Sequence, residues 1–224
     1  MSKRIVKVYP IFERLWHWMQ MALIVILLLT GFSLNGQLGL VPFGPAVVFH
    51  TLAAGLLLML WIFATFWLFT TGTWKQFIPR IEGMIETARF YALGVFRGEK
   101  HPYRKLYLRK HNPLQAATYF GLKWVIFPVI WVSGLFYLTY TLWEGGESAG
   151  VWIVVVANIH VLAGYVVACF VVVHVYLLTV GQGFRHHVRP MLTGYEEVDL
   201  TTEQEAYLEA NEPDRLKPRG VPAQ

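Results

Sequence analysis

Charge is scarce in this sequence. Of its 224 residues only 15% are Asp, Glu, Lys or Arg, against about 25% in ordinary water-soluble domains. Apolar residues make up 55%. That balance excludes a soluble globular enzyme and a disordered chain alike. Cysteine is scarcer still, with Cys169 alone in an apolar run. One thiol cannot supply a disulfide framework, a Cys-x-x-Cys-His attachment or a four-cysteine iron–sulfur or zinc site, so any cofactor is held without cysteine. Carboxylates are missing where they would be most telling, because none of the 14 Asp and Glu lies inside a long apolar run. A proton relay or a cation pathway through a membrane is expected to use them.

What is present is four apolar runs, Trp16 to Leu34, Ala46 to Phe69, Leu114 to Tyr140 and Val151 to Val180. Each is long enough to cross a bilayer as a helix of about 20 residues. The predicted fold is therefore all-α, an integral membrane four-helix bundle over residues 1–194, followed by a polar tail at 195–224. The first run follows Lys3, Arg4 and Lys7, but no small-residue cleavage site follows it before Gly36, which argues against a cleaved signal peptide.

Basic residues give the orientation. Eighteen of the nineteen Lys and Arg lie before span 1, between spans 2 and 3, or after span 4; the exception is Lys123. The positive-inside rule then puts both termini and the long 70–113 loop in the cytoplasm, in a chain of the inner membrane. The charge of +5 is accounted for by topology, and nucleic acid is not an expected partner. Within the long loop, Phe77/Ile78, Ile81, Met84/Ile85, Ala88, Tyr91/Ala92 and Val95 recur every three or four residues. This predicts an amphipathic helix on the cytoplasmic membrane surface between spans 2 and 3. In the tail, Thr202 and Glu205 have capping-box spacing, and Pro213, Pro218 and Pro222 suggest a frayed end.

Four of eight histidines lie in the spans, where an imidazole needs a partner. Alternating helix directions put His17 and His174 at the cytoplasmic level and His50 and His160 at the outer level. His160 and His174 are fourteen residues apart. At about 100° per residue that is four turns less roughly 40°, so both project from one face about 21 Å apart. One helix thus offers a ligand to each of two stacked sites, and paired neutral imidazoles are a normal six-coordinate haem arrangement. Gly31 and Gly164 stand where a porphyrin edge could approach the backbone, although small residues also serve helix packing. A histidine ladder carrying zinc or copper is the rival reading, weakened by the missing carboxylates.

With these residues in view, the chain resembles the two-haem, four-helix cytochrome b subunits that anchor membrane-bound nickel-iron hydrogenases, formate dehydrogenases and thiosulfate reductases. The resemblance runs over about residues 8 to 190. It rests on Arg14-Leu15-Trp16-His17, on His50, on His111-Asn112-Pro113-Leu114-Gln115 leading into span 3, and on His160 with His174. It implies two haem b groups, the inner held by His17 and His174 and the outer by His50 and His160. It also implies a quinone substrate (menaquinone or ubiquinone) near Asn112 and Gln115, with His111 a possible proton carrier. Arg14 and Lys123 would reach haem propionates or snorkel to headgroups, and Trp16, Trp18, Trp74 and Trp152 would anchor at the interfaces. The implied partners are the quinone pool and a periplasmic-facing redox subunit of hydrogenase, formate dehydrogenase, sulfur oxyanion reductase or multihaem cytochrome c type. The alternatives are a free-standing di-haem quinol oxidoreductase using a small oxidant, and a non-redox transporter or sensor.

Overall fold

In the computed structural model four helical stretches are long and apolar enough to cross a membrane: Ile11–Leu34, Phe43–Thr71, Pro113–Leu138 and Ala149–Leu178. The structure describes residues 2–99, 101–103, 110–146, 148–180 and 183–218. Lys100, Arg104, Lys105, Arg109, Arg219 and Pro222, which entered the topology and tail arguments, lie outside the described residues. The stretches begin and end within a few residues of the apolar runs that predicted them. We call the first α1 (Ile11–Leu34), the second α2 (Phe43–Thr71) and the fourth α6 (Ala149–Leu178). At 1.5 Å per residue α6 is about 45 Å long, longer than the roughly 30 Å hydrocarbon layer. Gly36, at φ 74°, turns the chain after α1 in a conformation that only glycine adopts cheaply.

The third span is irregular for a readable reason. It consists of α4 (Pro113–Gly121), a π-helical turn (Leu122–Ile126) and α5 (Phe127–Leu138). Pro128 has no N–H to give the carbonyl four residues back, and its ring crowds that carbonyl. The turn before it widens, and the Phe127 N–H bonds the Leu122 carbonyl, five residues back. Lys123 sits in this turn; its amine donates to Thr65 Oγ1 on α2 at 2.7 Å and lies 4.5 Å from the Trp61 ring centre.

The chain forms two compact units. One combines residues 18–70 and 119–175 and is built from the four spans. Its centre takes one buried side chain from each: Ile24 of α1, Leu57 of α2, Phe127 of α5 and Val167 of α6. Outward faces stay apolar, with Leu52, Met59, Phe66 and Val172 all more than half exposed. Water would penalise such a surface, whereas lipid does not.

The other unit gathers residues 1–17, 71–118 and 176–224. These are the three segments that carry all the Lys and Arg except Lys123. Here the tail departs from the expected frayed end. Strand β1 (Ser2–Lys7) pairs antiparallel with β2 (Tyr195–Leu200), so the two ends of the chain lie side by side. Val6, Val8, Val198, Leu200 and Leu208 form a small core, and Leu216 bridges back to Val6. Leu208 belongs to α8 (Thr202–Asn211), whose capping box is Thr201 with Gln204, one position earlier than the spacing suggested. Thr201 is the residue with extended backbone, which an N-cap requires. The amphipathic segment is also shorter than predicted. A 3₁₀ turn (Thr73–Phe77) precedes Pro79, and only from α3 (Met84–Arg89) does helical structure continue, through a π turn to Arg97. It buries Thr87, Phe90 and Gly94 and leaves Ile85, Leu93 and Phe96 exposed. Between α6 and β2 lies α7 (Phe184–Thr193).

Candidate functional site

Two of the four span histidines meet. His50, in the second turn of α2, and His160, on α6, have ring centres 6.2 Å apart with planes at 67°. Each ring is held at Nδ1. His50 Nδ1 lies 2.9 Å from Thr30 Oγ1 on α1. His160 Nδ1 lies 3.0 Å from Ser133 Oγ and 3.1 Å from the Ile130 carbonyl, both on α5. Each ring also presses on a glycine. A Cβ on Gly31 would stand 3.2 Å from His50 Cε1, and one on Gly134 would stand 3.0 Å from His160 Cε1. Gly31 therefore makes room for an imidazole. Gly164 faces open space.

With Nδ1 engaged on both rings, Nε2 is the nitrogen left to bind a metal. Metal–imidazole bonds of about 2 Å, with about 1 Å from each nitrogen to its ring centre, separate two ring centres on one metal by about 6 Å. The observed 6.2 Å matches that requirement. Haem iron between two neutral imidazoles fits this donor set, and the hydrogen bonds at Nδ1 are the outer support that metal-binding histidines usually have.

The other two histidines lie in different units. His17 is near the start of α1, in the unit that contains both termini; His174 is four residues before the end of α6, in the helical unit, with its ring stacked on Phe170 at 5.6 Å. Arg14, three residues before His17, donates from its guanidinium to the Leu192 carbonyl, while its buried Nε has no hydrogen-bond partner among the described residues. An acidic group such as a propionate would satisfy it.

Asn112 and Gln115 hold each other. The Gln115 N–H donates to Asn112 Oδ1 at 2.8 Å, and the Asn112 N–H donates to Gln115 Oε1 at 3.1 Å. This reciprocal pair closes the N-terminus of α4 in the manner of a capping box. Asn112 Nδ2 donates to the Tyr91 hydroxyl at 3.1 Å. Burial pushes the Tyr91 phenol above its ordinary range, and the Asn112 bond offsets part of that. The neighbouring His111, packed against Phe77 at 4.9 Å, lines a cavity of about 560 Å³ together with Thr87, Tyr103, Pro113 and Ala116. Asn112 and Gln115 are not among its lining residues. They shape the cavity by fixing the helix end beside it.

Ser133 and Gly134 escaped sequence reasoning because span 3 has no histidine and was assigned no part in the outer site, and Thr30 because only histidines and glycines were weighed in span 1 at that level. A usable signal was present in Thr30-Gly31 and Ser133-Gly134, a hydroxyl followed by glycine inside an apolar run.

Comparison with known proteins gives the family. The profile of the prokaryotic cytochrome b561 family matches residues 8–194. The Escherichia coli (strain K12) protein named cytochrome YdhU is 29% identical over 189 residues, covering 81% of this chain and 71% of its own. No solved structure matches. With four apolar spans and a family profile that matches residues 8–194, the chain belongs to the prokaryotic cytochrome b561 family and is a multi-pass membrane b-type cytochrome of electron transfer.

Proposed function

We propose that this cytochrome carries two haem b groups and connects a redox subunit on the outer face of the inner membrane with the quinone pool. The observation that supports the reading most directly is the His50/His160 pair, at the separation that one iron requires. In the proposal His50 and His160 hold the outer haem, and His17 and His174 the inner one. Bound haem supplies reversible one-electron exchange; the chain supplies ligands, orientation and a water-poor setting. Arg14 would give its unpartnered Nε to a propionate of the inner haem.

The quinone head group is assigned to the cavity at the start of α4. His111 and Tyr103 there offer groups that can donate to quinone oxygens, and His111 can hold a proton taken from the cytoplasm. The compact unit that contains this cavity also contains both termini, and its basic residues support a cytoplasmic location. Electrons from an outer partner would then cross the membrane toward this side, a transfer worth about 2.3 kcal/mol per charge per 100 mV. The partner is of hydrogenase, formate dehydrogenase, sulfur oxyanion reductase or multihaem cytochrome c type.

Haem quantitation on the purified chain, with reduced-minus-oxidised spectra of four single variants, tests the assignment. His50→Ala and His160→Ala are expected to lose one spectral component, and His17→Ala and His174→Ala the other. A haem-to-protein ratio near one in the unaltered protein, or loss of the same component in all four variants, would refute the two-haem reading.

A further inference from the structure

We infer that Thr30 and Ser133 are positioning residues that set the tautomer and donor strength of His50 and His160, an inference that rests on the two-haem reading above. They are the two buried polar side chains among the described residues of the four spans, at 3% and 6% exposure. A buried hydroxyl in lipid must use its proton. Thr30 Oγ1 donates to the Ile26 carbonyl at 2.7 Å, and Ser133 Oγ donates to the Val129 carbonyl at 2.6 Å. With the hydroxyl protons committed, each oxygen faces its histidine as an acceptor, so Nδ1 carries the ring proton. At His160 a second contact requires the same answer, because the Ile130 carbonyl 3.1 Å away can only accept. Both rings therefore present a bare Nε2 lone pair, the ligating form, without rearrangement.

The device occurs twice, on different helices. A hydroxyl residue holds Nδ1, and the glycine that follows it, Gly31 or Gly134, leaves room for Cε1 of the same ring. Accepting the Nδ1 proton makes an imidazole a stronger donor to the metal and so favours the more positively charged, oxidised iron. Removing the acceptor raises the midpoint potential. Each ring also has a backbone carbonyl beside it, Ile130 at His160 and Leu27 at His50, so losing either hydroxyl removes one acceptor and leaves the other.

Redox potentiometry of the full-length protein in detergent, read from b-haem absorbance with parallel electron paramagnetic resonance, tests this with Thr30→Val, Thr30→Ser and Ser133→Ala. Thr30→Val and Ser133→Ala are expected to raise the potential of the same one of the two components and to change its resonance signal. Thr30→Ser is expected to behave as the unaltered protein. Loss of that one haem in Thr30→Val with retention in Thr30→Ser supports the same conclusion. Unchanged potentials in fully loaded Thr30→Val and Ser133→Ala would overturn the proposal, as would a Thr30→Ser variant that matches Thr30→Val. Haem content of the unaltered protein is read first: if the His50→Ala-sensitive component is absent there, the ligand assignment itself falls.

Discussion

Replacing Gly134 by alanine adds one methyl group 3.0 Å from His160 Cε1. Carbon atoms in comfortable contact sit at about 3.5 to 4.0 Å, so the ring or the helix must yield by about half an ångström. The ring has little room to do so, because its Nδ1 is tied to Ser133 at 3.0 Å and to the Ile130 carbonyl at 3.1 Å. Overpacking of this kind costs about 1 to 3 kcal/mol, which corresponds to roughly a fivefold to hundredfold weaker hold on whatever the histidine binds. Gly31→Ala, at 3.2 Å, belongs at the low end. Gly55→Ala on α2 meets nothing within 4 Å and is the control, since any gain in helix propensity is common to all three. Haem-to-protein ratios after detergent washing, together with thermal unfolding, should rank Gly55→Ala with the unaltered chain, Gly31→Ala below it and Gly134→Ala lowest. Equal haem retention and equal thermal stability in Gly134→Ala and Gly55→Ala would refute the claim that this glycine exists to admit the His160 ring.

Three further expectations concern the other compact unit. Lys110 and Glu13 form an ion pair at 2.9 Å with side chains only 7% and 13% exposed. Lys110→Met should therefore cost about 3 to 5 kcal/mol by leaving a buried carboxylate uncompensated, and adding Glu13→Gln should recover most of it, as measured by thermal unfolding. Leu208→Ala opens a cavity in the five-residue core that joins the terminal strands. A loss of about 2 to 5 kcal/mol is expected, read as faster proteolysis of the terminal segments while haem spectra stay unchanged. Tyr91, whose phenol burial raises above its ordinary range, binds its proton more tightly in the folded chain than in the unfolded one. Its contribution to stability is full below about pH 10 and declines as pH rises through the higher folded value. Tyr91→Phe should remove that alkaline decline in unfolding experiments.

The parts of the structure legible in advance were those governed by solvent and by helix period. Apolar runs need lipid, and a backbone in lipid must satisfy its own hydrogen bonds, so the four spans and the helical class follow from local composition. The His160 and His174 spacing follows from 3.6 residues per turn. What was not legible depended on contacts between distant residues. That Asn112 and Gln115, read as candidates for a head group, also hold each other at the N-terminus of α4 could not be seen in the sequence. The tail read as acidic and polar, yet Val198, Leu200 and Leu208 find Val6 and Val8, which lie far earlier in the chain.

Lipid solvation and charge asymmetry, which need no tertiary information, determined that this chain crosses a membrane four times and gathers its basic residues in the segments outside the spans. Tertiary structure decided which side chains hold the histidines, because Thr30 reaches His50 across twenty residues and Ser133 reaches His160 across twenty-seven. A hydroxyl followed by glycine has no assigned meaning in one helix. It acquires one when a second helix brings a ring to within hydrogen-bonding distance of the hydroxyl and within contact of the glycine.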